Sequence, residues 1–129
     1  MFRTGLLNPA VLDLLARVRH TNTLVIADRG FPFWPEIETV DLSVVDDLPT
    51  VAQLVAALRP NFVIGHVYAA EEVNTANAPE KLGCHLAALD GLPLTYVSHV
   101  EFKQRVPHAI GLIRTGDTTQ YGNLLLESA

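Results

Sequence analysis

The chain has 129 residues, of which 49% are hydrophobic and 18% are charged, and its formal net charge is −5. This composition excludes a disordered chain, and the acidic balance argues against nucleic acid and anionic membranes as partners, because both bind clustered lysine and arginine. No apolar run approaches the roughly 20 residues that a membrane-spanning helix needs.

The length predicts a single domain over residues 1–129, and the one cysteine, Cys84, leaves no intrachain disulfide. The first residues lack the basic and then apolar pattern of a signal peptide. We therefore expect a cytoplasmic protein. So much apolar sequence in so short a chain also predicts surface shared between copies, that is, a homo-oligomer.

Apolar periodicity and turn residues predict four helices and six strands. In chain order these are a helix at 9–19, strands at 23–27 and 37–42, a helix at 49–58, a strand at 62–68, a helix at 77–89, a strand at 94–98, a helix at 99–106, and strands at 109–114 and 123–127. The alternation predicts an α/β fold of three layers, α/β/α, around a mostly parallel, mixed sheet. Only a loop separates the last two strands, which leaves an antiparallel pair as an alternative there.

Titratable residues flank the first predicted strand, 23–27, whose uncharged β-branched and apolar sequence is typical of a strand buried on both faces. Asp28 follows this strand directly, and ligands of open α/β sheets bind beyond the carboxyl ends of strands. His20 precedes it, at the expected end of the first helix. Each residue also has a purely structural interpretation, His20 as a helix cap and Asp28 as a turn residue before Gly30.

The length of that strand separates the two residues. Five strand residues span roughly 16 Å, so His20 and Asp28 of one chain are expected at opposite ends of it. They would then not reach the same small ligand. A site that uses both residues is therefore expected to lie between subunits.

Three segments carry a family resemblance. They are His20-Thr-Asn-Thr-Leu-Val-Ile-Ala-Asp-Arg-Gly-Phe-Pro32, Ser98-His-Val-Glu-Phe-Lys103 and Arg114-Thr-Gly-Asp-Thr-Thr-Gln-Tyr-Gly-Asn123. In this order and at this spacing, the chain resembles the ribose pyranase and fucose mutarotase family, small cytoplasmic proteins that interconvert the cyclic forms of free sugars.

The resemblance implies roles for individual residues. His20 corresponds to the catalytic proton donor. The implied sugar-binding residues are Asp28, His99, Tyr121, Gly122 and Asn123. No metal and no organic cofactor is implied. The resemblance also implies ring-shaped homo-oligomers, pentamers or decamers. Such rings agree with the shared site expected from strand length, in which His20 of one copy faces Asp28, His99 and Tyr121 of another.

The reaction suits these residue types. Opening a cyclic hemiacetal requires a proton delivered to the ring oxygen and another removed from the anomeric hydroxyl, and a histidine side chain exchanges protons near neutral pH. We therefore expect an isomerase, a pyranase or mutarotase, acting on a monosaccharide such as ribose or fucose. The alternatives are a non-catalytic sugar-binding or regulatory module and a purely structural oligomer.

The substrate is left open by departures from the family pattern. His99 is typical of the ribose-type branch, whereas Gly122 is commoner in the fucose type. Arg19 and Arg29 add positive charge beside the candidate catalytic residues, which makes an anionic sugar derivative an alternative substrate.

Several other residues have open roles. Phe33 and Trp34 fit interface packing as well as a sugar platform, and Lys103 is a weaker candidate for the site. The rival metal-binding interpretation uses residues of the middle third, but their spacing matches no metal motif. They are His66, Glu71, Glu72, Cys84 and His85.

Overall fold

In the computed structural model, which describes residues 1–3 and 5–129, the chain forms a six-stranded sheet with helices on both faces. The strands are β1 (Thr23–Ala27), β2 (Glu38–Asp41), β3 (Ile64–Ala70), β4 (Leu94–Val97), β5 (Gly111–Arg114) and β6 (Leu124–Ser128). The helices are α1 (Pro9–Arg17), α2 (Val51–Leu58), α3 (Val73–Ala76), α4 (Pro79–Ala87) and α5 (His99–Arg105), and a 3-10 helix at Val106–His108 follows α5.

The strands lie in the order β2-β5-β1-β6-β3-β4. β5 pairs in parallel with both β1 and β2, and β3 pairs in parallel with β4. β6 is antiparallel to its two neighbours, β1 and β3. Five strands therefore share one direction, which confirms the mostly parallel, mixed sheet, and their carboxyl ends lie at the same edge as the amino end of β6.

The last two strands, β5 and β6, do not pair with each other. The short loop between them had left an antiparallel pair as an alternative. β1 lies between β5 and β6, and β6 occupies the interior of the sheet. The physical reason is the apolar run Leu124, Leu125 and Leu126, which is buried on both faces of the sheet. A strand at the sheet edge would leave part of that run exposed.

The sheet separates two apolar cores, and β1 contributes to both. Leu24 and Ile26 face the core beneath α1, α2 and α4, whereas Val25 and Ala27 face the core beneath α5 and the 3-10 helix. All four side chains are fully buried, which confirms that β1 is covered on both faces. Burying each of the Leu24, Val25 and Ile26 side chains contributes about 1.5–3 kcal/mol to folding. β1 therefore holds the residues at its two ends in fixed positions.

Two expected helices end or begin elsewhere. α1 begins as expected, since the Asn8 side chain accepts a hydrogen bond from the backbone N–H of Val11, but it ends at Arg17. His20 therefore lies in the turn beyond the helix rather than at its end. The expected helix at 77–89 begins at Pro79, and the short helix α3 before it was not predicted. In the part of the chain that the structure describes, no helix is long and apolar enough to cross a membrane.

Candidate functional site

A pocket of about 350 Å³ opens at the carboxyl edge of the sheet. It lies where β1 and β4 end and β6 begins, so segments distant in sequence meet there. Four of the expected sugar-binding residues line it, namely Asp28, His99, Tyr121 and Asn123. The residues Asp117, Thr118, Thr119 and Gln120, which precede Tyr121, form another part of its wall.

Asp28 and Asn123 are joined directly. The backbone N–H of Asp28 donates to Oδ1 of Asn123 at 2.8 Å, because β6 runs antiparallel beside β1 and places its first residues next to the end of β1. The backbone N–H of Gly30 donates to Oδ1 of Asp28 at 2.9 Å, which turns the carboxylate toward the loop. Burial raises the pKa of Asp28, although hydrogen bonds to its carboxylate from the backbone N–H groups of Gly30 and Phe31 oppose the shift. The site thus contains a buried carboxylate with remaining capacity to accept from a ligand hydroxyl.

His99 enters the pocket from the first position of α5. Its backbone N–H donates to both carboxylate oxygens of Glu72 at 3.0 Å, which ties the start of α5 to the end of β3. Its ring lies edge-on to Tyr121, with 5.0 Å between the ring centroids. Burial lowers the pKa of His99, and the nearby charge of Lys103 adds to this effect. The ring is therefore uncharged at neutral pH and can both donate and accept hydrogen bonds.

We call residues 115–123, between β5 and β6, the ligand segment. Both the backbone N–H and the hydroxyl of Thr115 donate to the carbonyl of Ala27 at its start. The Asn77 side chain accepts from the backbone N–H of Gln120 and donates to its carbonyl, each at 2.9 Å. Tyr121 has a φ of 55°, a left-handed conformation that is unfavourable for a tyrosine and that the surrounding contacts enforce. Asn77, which the sequence suggested as a helix start, instead positions this segment.

Asp117 was not singled out from the sequence, although it belongs to the third motif. It is 3% exposed, and its carboxylate accepts from the backbone N–H of Val51 at 2.8 Å and of Thr119 at 2.7 Å. Val51 begins α2, so Asp117 satisfies a helix N-terminus and a turn of the ligand segment together. The acidic side chain within the motif was the available signal, but its partner is 66 residues away in sequence.

Asp117→Asn is expected to lower the free energy of unfolding by about 1–3 kcal/mol, because the amide NH₂ would face one of two buried N–H donors. Urea denaturation of the variant and the wild type would measure the difference. Asp90→Asn, at an exposed position, is the matched control and should change stability little. Equal stability of both variants would contradict the assigned role of Asp117.

Gly122 lies behind the pocket wall and is buried. A Cβ at this position would lie 2.9 Å from the carbonyl oxygen of Thr119 and 3.3 Å from Cε1 of His85. A larger residue would therefore displace the backbone of the ligand segment. Gly122 acts through close packing, and it is not among the residues that line the pocket.

His20 does not join the other candidates. It lies in a tight turn in which the backbone N–H of Asn22 donates to the carbonyl of Arg19 and the backbone N–H of Arg19 donates to the Asn22 side chain. The side chain is exposed, makes no hydrogen bond to the described residues, and does not line the pocket. β1 separates it from Asp28, as the sequence predicted.

The two arginines considered for an anionic substrate are already paired. Arg29 borders the pocket, but its guanidinium lies 2.6 Å from the carboxylate of Asp46. Arg19 donates to the carbonyls of Ala16 and Val18 at the opposite end of β1. A third arginine, Arg114, donates to three carbonyls of the loop 28–32 and holds that loop in place.

The residues with open roles lie outside the pocket. Phe33 is 70% exposed and Trp34 packs against the core beneath α5, and Phe31 and Pro32 line the pocket in their place. Lys103 is half-buried on α5. Within residues 1–3 and 5–129, no three His, Cys, Asp or Glu side chains are grouped closely enough to hold a metal ion.

Comparison with known proteins gives the same picture over the full chain. Residues 1–129 match the model of the RbsD / FucU transport protein family. The chain belongs to this family. It is 36% identical over 128 residues to the D-ribose pyranase of Geobacillus thermodenitrificans, covering 99% of this chain and 96% of that protein. It is 34% identical over 128 residues to the D-ribose pyranase of Corynebacterium glutamicum, covering 99% and 97%.

Solved structures share the fold. Bacillus subtilis RbsD complexed with D-ribose superposes with a TM-score of 0.90 at 32% identity, covering 100% of this chain and 98% of that one. The fucose mutarotase of Streptococcus pneumoniae, in complex with L-fucose, has a TM-score of 0.78 at 19% identity, covering 95% and 92%, which is a likeness of fold. The family predicted from the three motifs is confirmed, and with it the expected class of enzyme, a sugar pyranase or mutarotase.

Proposed function

We propose that this protein interconverts the cyclic forms of D-ribose, without a metal or organic cofactor. The observation that carries the proposal is the convergence of Asp28, His99, Tyr121 and Asn123 on one pocket. Its volume, about 350 Å³, is at the lower end of the range for small-molecule sites, which suits a monosaccharide. The solved relative with D-ribose supports the choice of sugar, as does 31–36% identity to D-ribose pyranases.

The polar groups of the pocket suit a neutral polyol. The Asp28 carboxylate would accept hydrogen bonds from sugar hydroxyls, and the uncharged His99 ring would donate one or accept one. The Tyr121 side chain, 37% exposed, can cover the apolar face of the sugar ring. The side-chain oxygen of Asn123 accepts from the backbone N–H of Asp28, so we assign Asn123 to fixing the backbone at the end of β1.

We further propose that the proton donor comes from another copy of the chain. Within one copy His20 is exposed, lacks a hydrogen-bond partner among the described residues, and lies on the far side of β1 from the pocket. In a ring-shaped homo-oligomer, His20 of one copy would face the pocket of its neighbour. That group would protonate the ring oxygen as the bond from C1 to this oxygen breaks, while the anomeric hydroxyl gives its proton to solvent. On closure both transfers reverse, so the histidine serves both directions.

We propose a neutral sugar rather than an anionic derivative, because Arg29 is paired with Asp46 and Arg19 lies away from the pocket. Competition between ribose 5-phosphate and D-ribose for the pocket tests this choice. Tighter binding of ribose 5-phosphate than of D-ribose would reverse it. We also propose a cytoplasmic location, which rests on the single cysteine.

The test is NMR exchange spectroscopy between the anomeric signals of D-ribose and, in parallel, of L-fucose. We expect the protein to accelerate exchange between the pyranose and furanose forms of D-ribose more than that of L-fucose. Faster exchange of L-fucose alone would replace the proposed substrate. Line broadening on binding without faster exchange would favour a non-catalytic sugar-binding module.

A further inference from the structure

A second cavity, of about 130 Å³, lies behind the ligand segment. Asp117 and Thr119 line both this cavity and the sugar pocket, so one short stretch of chain separates the two spaces. Lys81, Cys84 and His85 of α4 close its other side. A change of charge or packing in this cavity that moves Asp117 or Thr119 would therefore also alter the wall of the sugar pocket.

His85 is the residue of this cavity that no role above explains. It is 4% exposed, and it is the buried side chain of an otherwise largely exposed helix. Its Nδ1 is buried without a hydrogen-bond partner in the described structure. Its Cε1 lies 3.3 Å from the position that a Cβ of Gly122 would occupy. A buried polar atom without a partner is unfavourable, so packing alone does not explain a histidine at this position.

The charged and titratable groups around the ring come from three elements. Asp117 faces it from the ligand segment, Lys81 and Cys84 from α4, and Asp47 from the loop before α2. Asp47 is tied to Lys81 at 3.6 Å and to Thr118 of the ligand segment. The cavity residues contributed by the start of α2, Thr50 and Ala52, are uncharged.

These groups set the charge of the ring. Burial lowers the pKa of His85, the Asp117 carboxylate opposes that shift, and Lys81 adds to it. The ring is therefore uncharged at neutral pH. Both oxygens of Asp117 are then available to the N–H groups of Val51 and Thr119.

We infer that His85 is a positioning residue for the sugar pocket: its uncharged ring supports Gly122, and a charged ring would draw Asp117 away from Thr119 and displace the ligand segment. The displaced segment would carry Tyr121 and Asn123 out of position. The consequence for sugar affinity rests on the function proposed above, whereas the movement of the segment does not.

The direction of the pH effect follows from the lowered pKa. A sugar that binds the form with an uncharged ring has full affinity above the pKa of His85, and affinity falls as the pH drops through it. Because the pKa is lowered, the loss occurs below 6.5, the ordinary value for histidine. Each unit by which sugar binding lowers this pKa further corresponds to a roughly tenfold loss of affinity.

The experiment follows backbone amide signals of the perdeuterated assembly by relaxation-optimised NMR between pH 7.5 and pH 5, without sugar. We expect the amides of Thr119, Gly122 and Asn123 to shift with the same midpoint as the ring signal of His85. In His85→Leu and His85→Gln these shifts should disappear. His108→Gln, which removes an exposed histidine far from this cavity, should leave them unchanged. Shifts that persist in both His85 variants would overturn the inference.

The same samples are then titrated with D-ribose at both pH values. Wild type should lose more affinity on acidification than either His85 variant, since only wild type carries a histidine behind Gly122. Equal losses would overturn the link between His85 and the pocket. An absence of ribose binding at either pH would refute the proposed function instead, and the amide shifts would still decide the role of His85.

Discussion

His20→Ala is expected to lower the rate of D-ribose ring interconversion by about 10² to 10⁴-fold, because it removes the positioned acid and base. Affinity for the sugar should change much less, since the pocket of each copy is built by other residues. NMR exchange rates measure the first quantity, and titration of the sugar signals measures the second. His108→Ala is the matched control and should retain wild-type exchange. A rate unchanged in His20→Ala would contradict the catalytic assignment.

The same variant tests whether the site is shared between copies. At D-ribose concentrations well below saturation, His20→Ala and Asp28→Asn are each expected to have little activity, but co-assembled in equal amounts they should recover part of it. If each site takes His20 from one copy and Asp28 from another, random assembly leaves about a quarter of the sites with both wild-type residues. A site formed within one chain would recover nothing. Native mass spectrometry of the mixture, with one variant labelled by a heavy isotope, shows whether the two variants assemble together.

Asp28→Asn is expected to weaken D-ribose binding by roughly ten- to a hundredfold, because hydrogen bonds to a charged acceptor contribute about 1.5–3 kcal/mol. The amide can still accept from the backbone N–H of Gly30, so the local turn should persist. Calorimetric titration with D-ribose measures the affinity. Asp90→Asn serves as the control for loss of one negative charge. Affinity within twofold of wild type would remove Asp28 from the binding site.

The same substitution should also change how the stability of the protein depends on pH. Burial raises the pKa of Asp28 above its ordinary value of 3.8, so the folded chain binds more protons than the unfolded chain between those two values. The contribution of Asp28 to the free energy of unfolding of wild type is therefore lost as the pH rises from 3.8 through the raised pKa of the folded chain. The free energy of unfolding of Asp28→Asn minus that of wild type should therefore be larger at pH 7 than at pH 4. Urea denaturation at the two pH values would contradict this if the difference had the other sign.

Local sequence patterns determined most of the secondary structure. β1 was predicted with its observed bounds, since a short uncharged run of β-branched and apolar residues between turn residues is typical of a buried strand. The predicted starts of α1 and α2 lie within two residues of the observed ones, and the side chains of Asn8 and Thr50 cap these helices. The separation of His20 from Asp28 also followed from sequence, because strand length is proportional to residue number. The family was recognisable because its motifs are local.

The arrangement of the site was decided by tertiary structure. The short loop before β6 suggested a neighbour of β5, yet β6 lies between β1 and β3, and this places Asn123 beside Asp28. The partner of Asp117 is the N-terminus of α2, and the ring of His85 lies behind Gly122. Periodicity describes which face of an element is apolar, but it does not specify which distant element covers that face. Strand order and long-range hydrogen bonds depend on the packing of the whole chain, so these contacts appeared only in the folded protein.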